Sequence, residues 1–297
     1  MSNPTARVVV CGIALAVVAL PAHCQDDAIS SAIAYCRAHP NAVTLNDDKS
    51  ILCFDRQIRL NEDTNPLDDL KPNGMFVIRS PGGYAEPAMR LANILREKNA
   101  HVVIYDYCFS ACANWLLIAT NETLVAKNAI IAWHGGPARP NTAFQFYDSI
   151  TQTHQSAKIT CPGADEDASA RASDDITVIA SKFAASIKPD LKNWIRQRTE
   201  EISRSRCRVF EMHRRFFRTR GIDDGYIYEP QTQHTKSWYD AAVKDHGRQM
   251  TLWMWNPQHH QGYFKGNIVY EAYPGSQSEV DAILEKLRLP VSIIYDP

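Results

Sequence analysis

Several things are missing from this 297-residue chain, and each absence removes a class of function. No apolar run reaches the ~20 residues that a bilayer-spanning helix needs. No long block of one charge sign occurs, and 32 Lys and Arg side chains nearly cancel 33 Asp and Glu. A nucleic-acid or anionic-membrane surface usually rests on a clustered excess of Lys and Arg, so neither has a footing here. No two cysteines stand in C-x-x-C spacing, which leaves a zinc ribbon or a thioredoxin-type redox site without support. Internal repeats and low-complexity tracts are likewise absent.

What is present is the composition of a soluble globular protein with material for a sizeable core: 45% hydrophobic and 22% charged residues. The length allows two domains, but α/β domains of about 250 residues are often single. Arg7 precedes an apolar run from Val8 to Leu20 whose 13 residues match the core of a signal peptide. Ala22 and Cys24 then place small residues at the −3 and −1 positions. Residues 1–24 are therefore expected to be a signal peptide cleaved after Cys24, with a destination outside the cytoplasm, periplasmic or secreted. A lipoprotein with acylated Cys24 is the weaker alternative, because bulky His23 precedes the cysteine.

Export places the six remaining cysteines, Cys36, Cys53, Cys108, Cys112, Cys161 and Cys207, in an oxidising compartment. Six cysteines allow 15 connectivities. Proximity favours Cys36 with Cys53 and Cys161 with Cys207. Cys108 and Cys112 lie four apart near a helix start, where regular geometry holds Cβ atoms about 5–6 Å apart against roughly 3.8 Å in a disulfide. Their bond would need an irregular first turn.

Along the chain, Ser30 to Arg37 reads as a short helix and Ser50 to Leu60 as a strand. Met75-Phe76-Val77-Ile78 is apolar on both faces, the mark of a strand buried in a parallel sheet. Ser80-Pro81-Gly82-Gly83 ends it. Ala88, Leu91, Ala92 and Leu95 fall on one face of a helix, and His101 to Tyr105 is the next buried strand. Ala113 to Thr120 reads as a buried helix, while Leu124-Val125 and Ile130 to Trp133 read as short strands. Residues from about 140 to 225 read as a helical insertion, on the helical spacing of Ile176, Ile179, Ala180 and Phe183. Ser237 to His246 predicts a helix. Residues from about 249 to 297 form a C-terminal extension with strands over Asn267 to Ala272 and Val291 to Tyr295 and a helix over Ser278 to Leu287.

Four residues carry candidate chemistry: Gly82, Gly83, Ser110 and His134. Gly82 and Gly83 let the backbone approach a ligand and aim N–H groups at it. Ser110 sits on a strand-to-helix turn, where unpaired N–H groups and the helix dipole favour the oxyanion that an attacking serine generates. Taken alone, the glycine pair is a turn and the serine a helix cap. His134 closes a strand before two more glycines. Asn121-Glu122-Thr123 matches a glycosylation sequon. Trp253 and Trp255 alternate as buried or half-buried strand aromatics do, with sugar binding the less favoured reading. His259 and His260, with His234 and His246, lack the further partner that a metal site requires, so neither metal nor other cofactor is expected.

In combination, these residues resemble the Clp protease proteolytic subunit (ClpP) and its relatives in the crotonase-like superfamily, notably an exported branch of Clp-like serine hydrolases. Ile78-Arg79-Ser80-Pro81-Gly82-Gly83 is similar to the family's strand and Asn-Ser-Pro-Gly-Gly turn, with Arg79 in place of the asparagine. Cys108-Phe109-Ser110-Ala111-Cys112 resembles the nucleophile turn of the exported branch, and Ile130 to His134 the strand that delivers the histidine. Ser237 to Gly247 is more loosely similar to a late helix. The likeness spans Ser50 to about Pro137.

The resemblance implies an α/β fold of the ClpP/crotonase-like type, a superhelix of repeated strand-strand-helix units carrying the insertion and the extension. It implies Ser110 as nucleophile, His134 as general base, and the N–H groups of Gly83 and Ala111 as oxyanion hole. No Asp occupies the place of the family's acid, for which Glu229, Asp223 and Asp224 are substitutes; a Ser-His dyad is the other outcome. The implied function is an exported serine hydrolase of peptidase type acting on a peptide or protein substrate, with no nucleic acid, no integral membrane segment after signal cleavage, and a homo-oligomer allowed. Two alternatives stay open: a catalytically inactive binding or assembly protein on the same fold, and an esterase or acyl-transfer enzyme.

Overall fold

Strands that are apolar on both faces need cover on both faces, and the apolar runs of this chain receive it. A computed structural model of the protein describes residues 22–40, 42–133, 143–148, 153–158, 207–223, 226, 251–258, 263 and 267–296. The order begins with α1 (Ala22–Arg37), β1 (Val43–Leu45), β2 (Ile51–Asp55), α2 (Asn65–Asp69), β3 (Met75–Ser80), α3 (Ala85–Glu97) and β4 (His101–Phe109). A π-helix (Cys112–Leu116), β5 (Glu122–Val125) and β6 (Ile130–Ala132) follow. After them come β7 (Ala143–Asp148), β8 (Thr153–Lys158), helix α4 over 207–218, β9 (Thr251–Trp255), β10 (Asn267–Tyr270), α5 (Gln277–Leu287) and β11 (Ser292–Asp296).

The main sheet has seven strands in the order β1-β2-β3-β4-β5-β10, with β6 beside the second half of β4. Only β1 runs antiparallel to its neighbour; the other pairs are parallel. The fold is therefore α/β with a mixed, mostly parallel sheet. Side chains alternate as a strand requires. Leu52, Phe54, Phe76, Ile78, Val102 and Ile104 face the core beneath α3 and the π-helix, while Cys53, Val77, Val103 and Tyr105 face the core beneath α1. A third apolar cluster joins Phe109, Ile130 and Ala132 to the two-stranded β9–β11 sheet and to Val280 and Leu284 of α5.

Helix α1 starts at Ala22, eight residues before the expected Ser30. The strand expected over Ser50 to Leu60 is shorter, and Ile58 beyond it makes an isolated parallel bridge to Gly83. The stretch from about 140, expected to be helical, opens instead with the antiparallel β7–β8 hairpin. Its Ala143-Phe144-Gln145-Phe146-Tyr147 sequence is aromatic and suits a strand, whereas the helical spacing that motivated the expectation lies further along. Within the same insertion, residues 207–218 are helical. The late helix expected over Ser237 to His246 lies outside the described residues. Among the described residues, no helix is long and apolar enough to cross a membrane.

Candidate active site

The site is built where β3, β4 and β6 end together. At the end of β3 the Ser80 hydroxyl donates to the Arg56 carbonyl (2.7 Å) and accepts from the Gly82 N–H (3.1 Å), which curls the chain sharply. The Ile58 N–H donates to the Gly82 carbonyl (2.8 Å) and the Tyr84 N–H to the Ile58 carbonyl (3.2 Å). Both bonds flank Gly83, so in this parallel bridge the N–H of Gly83 itself points away from Ile58.

Gly82 adopts φ +90°, and a Cβ there would lie 2.4 Å from the Phe109 carbonyl oxygen, 2.7 Å from Ser110 Cβ and 2.9 Å from the Ala111 nitrogen. The space of a side chain is thus already taken by the serine turn. Only glycine lets the two turns touch.

β4 reaches that turn through an irregularity. Ile78 pairs with Ile104 but Ser80 pairs with Cys108, so β4 spends two more residues than β3 over the same span. A shift of two keeps every side chain on its face. The extra length includes Asp106 in the left-handed region, φ +56°. Its carboxylate accepts from Arg37 (2.7 Å) and Arg79 (3.0 Å), while Arg79 also grips Asp55 through Nε (2.7 Å) and Nη2 (2.5 Å). Both guanidiniums lie over the Tyr105 ring, 5.6 and 5.3 Å from its centroid. The hydrogen bond to Asp55 raises the Arg79 pKa, and burial raises that of Tyr105. The irregularity lets the first half of β4 pair with β5 and the second half with β6.

Ser110 then turns the chain with φ +53°, a left-handed conformation unusual for a residue with a Cβ. Its N–H donates to the Ala132 carbonyl (2.9 Å) and its carbonyl accepts from the Asn114 N–H (2.8 Å). The serine is half-buried, whereas Ala111 is buried. Among the described residues, neither the Ser110 Oγ nor the N–H groups of Gly83 and Ala111 have a hydrogen-bond partner. The helix that follows is wound as a π-helix, with the Leu117 N–H reaching the Cys112 carbonyl at 3.1 Å, and it starts without a side-chain cap. Cys108 and Cys112 are disulfide-bonded across the serine, their Cα atoms 5.3 Å apart. The irregular turn required for that bond is this one.

Phe109 pairs with Ala132, so Ser110 and Trp133 leave the sheet side by side. Trp133 is fixed on three sides. Its backbone exchanges two 2.8 Å hydrogen bonds with Trp253, and its indole N–H donates to the Tyr226 hydroxyl at 3.0 Å. That hydroxyl donates in turn to the Ala113 carbonyl at 3.0 Å, bracing the end of β6 against the π-helix. Trp253 and Trp255 are each 2% exposed and belong to the core, leaving no sugar-binding face on either. Trp115 of the π-helix packs against His213 of α4 in a tilted ring contact, centroids 5.1 Å apart. His213 is buried, neither ring nitrogen has a hydrogen-bond partner among the described residues, and burial lowers its pKa to about 4.

The structure thus brings together Ser110, Ala111 and the Gly82-Gly83 turn. His134 lies outside the described residues, directly after Trp133. Of the substitutes for the acid, Asp223 is exposed and its N–H reaches the Tyr263 carbonyl at 3.4 Å; Asp224 and Glu229 lie outside the described residues, as do His234, His246, His259 and His260. Cys36 and Cys53 form a disulfide, tying α1 to β2. Cys207 is disulfide-bonded, and Cys161 lies outside the described residues. Among the described residues, no group of three or more His, Cys, Asp or Glu is placed to hold a metal. The left-handed serine, the π-helix and the Trp133–Tyr226–Ala113 brace are features that sequence reasoning missed. Only the spacing of Cys108 and Cys112 signalled any of them. No protein-family model matches the chain, and no curated protein matches it.

Proposed function

We propose that this protein is an exported serine hydrolase of peptidase type, built on a ClpP/crotonase-like variant of the α/β fold. One observation carries the reading: Ser110 is held left-handed at a strand-to-helix turn, with glycine backbone packed directly against it. The serine is half-buried and no side-chain bond caps the helix that follows, so its hydroxyl is not engaged as a helix cap. In this reading Ser110 attacks a substrate carbonyl while His134 takes its proton and later returns it to the leaving group. The N–H groups of Gly83 and Ala111 hold the oxyanion. The succession β3, glycine turn, α3, β4 and serine turn supports the family assignment, and two disulfides support export. Exposed Tyr84 and Leu60 border the Ile58–Gly83 bridge and offer apolar contact suited to the side chains of a peptide.

The test is labelling with a fluorophosphonate probe. Ser110 is expected to be the modified residue, and labelling is expected to rise with pH through the ordinary imidazole range, ~6–7, because only neutral imidazole accepts the proton. Ser110→Ala abolishes labelling, and His134→Ala lowers it without unfolding the protein. A wild type inert to the probe and to peptide and ester substrates would overturn the hydrolase reading in favour of a binding or assembly protein.

A further inference from the structure

We infer that the Cys108–Cys112 disulfide is the positioning element of the nucleophile: it holds Ser110 in its reactive conformation, and the site works only when that bond is closed. The inference rests on the hydrolase reading of the same site. Cys108 belongs to an extended strand and Cys112 opens a helix, with three residues between them. Their Cα atoms are nevertheless 5.3 Å apart. The chain turns back between the two cysteines, and Ser110, in the left-handed region, is the residue at which it does so. Glycine is the usual occupant of a left-handed position because a Cβ is disfavoured there. A serine needs its surroundings to impose the conformation.

The other restraints on the turn are non-covalent. The Ser110 N–H is tied to the Ala132 carbonyl, its C=O holds the Asn114 N–H of the helix, and the Tyr226 hydroxyl braces Ala113. The helix start has no side-chain cap, and among the described residues the Ser110 hydroxyl makes no bond that would anchor it. Gly82 closes one side by contact alone. The disulfide is the covalent link between the two ends, and both sulfur-bearing residues are fully buried, so it braces the turn from below while the serine stays half-exposed.

Opening the bond needs a two-electron reductant. Dithiothreitol supplies two electrons and two protons, ends as its cyclic disulfide, and leaves two thiols at Cys108 and Cys112. The site is expected to lose reactivity on that step and regain it on reoxidation.

The experiment compares three proteins by fluorophosphonate kinetics: wild type, Cys108→Ala/Cys112→Ala, and Cys36→Ala/Cys53→Ala, which loses a disulfide elsewhere. The expected result is a fall in the maximal inactivation rate of roughly 10- to 100-fold for the first pair, the scale on which ångström misplacement acts, with the half-saturating probe concentration little changed. The second pair is expected to label like wild type. A general loss of stability would instead affect both pairs, and reduced probe binding would move the half-saturating concentration. Wild-type labelling accompanied by an unchanged rate in Cys108→Ala/Cys112→Ala would overturn the inference and leave the hydrolase reading standing. An inert wild type would overturn the hydrolase reading itself, and this inference with it. Should the first pair fail to fold, the wild type is reduced and its thiols mapped by alkylation. A protein with open Cys108 and Cys112 that keeps its circular dichroism, stops labelling, and recovers on reoxidation supports positioning. One that unfolds on reduction, or that labels at full rate while open, overturns it.

Discussion

At the scale of single residues, the site depends on two backbone conformations that side chains resist. Gly82 at φ +90° has no room for a methyl group, since its Cβ position falls 2.7 Å from Ser110 Cβ. Gly82→Ala combines dihedral strain with overpacking against backbone and is expected to cost about 2–4 kcal/mol. Urea unfolding checks this, and a midpoint equal to that of wild type would contradict the tight approach of the two turns. Ser110→Gly is expected to act in the opposite direction. Relief of the left-handed penalty, about 1–2 kcal/mol, outweighs the extra unfolded-state entropy of glycine, about 0.4–1 kcal/mol. That variant is expected to be more stable than wild type by about 0.5–1 kcal/mol in the same measurement and inert to the probe.

At the scale of elements, legibility followed the range of the interactions. β3, α3 and β6 were readable because continuous apolar runs and helical spacing are local signals, and the glycine turn and the serine turn were readable with them. β4 was read only as far as Tyr105, because Asp106 looks like the polar end of a strand. It continues to Phe109 because Arg37 and Arg79, 69 and 27 residues away in sequence, neutralise that carboxylate. The π-helix was invisible for another reason. Cys112 to Leu116 is buried all round, so no periodicity distinguishes its winding from an α-helix.

Helix α4 adds a consequence of its own. His213 titrates near pH 6.5 when exposed in the unfolded chain and at about 4 in the fold, where burial disfavours its charge. Between those values the unfolded chain holds the proton and the folded one does not. The contribution is therefore complete above pH ~6.5, and as much as about 3 kcal/mol is lost as pH falls toward 4. His213→Phe keeps a ring against Trp115 and removes the titration. Calorimetric melting at pH 7 and pH 4.5 is expected to show a smaller acid-induced drop in Tm for the variant than for wild type.

On the scale of the whole molecule, the sheet has different cover on its two faces. Beneath α3 and the π-helix lies the largest apolar cluster, whereas the α1 face has a small one centred on Cys36, Cys53, Val77 and Val103. α1 is tied there by its disulfide and by the Arg37–Asp106 ion pair as well as by the burial of Ile29, Ala32 and Cys36. Removing the Cys36–Cys53 bond, which spans 17 residues, is expected to cost about 3 kcal/mol in the chain-entropy model. Hydrogen exchange is expected to quicken over residues 27–37 while the amides of β3 and β4 stay protected; uniform quickening would contradict a separable α1. The α/β class was legible at this scale because strands and helices alternate, but the β7–β8 hairpin was not, since the insertion was read from residues further along.

The connectivity of the bonds bears on how the molecule is made. Cys36 and Cys53 have no other cysteine between them in the chain, and neither do Cys108 and Cys112. Under the proposed export, a catalyst that oxidises thiols in order of their emergence would make both of these bonds at the first attempt, and neither bond would call on a disulfide isomerase.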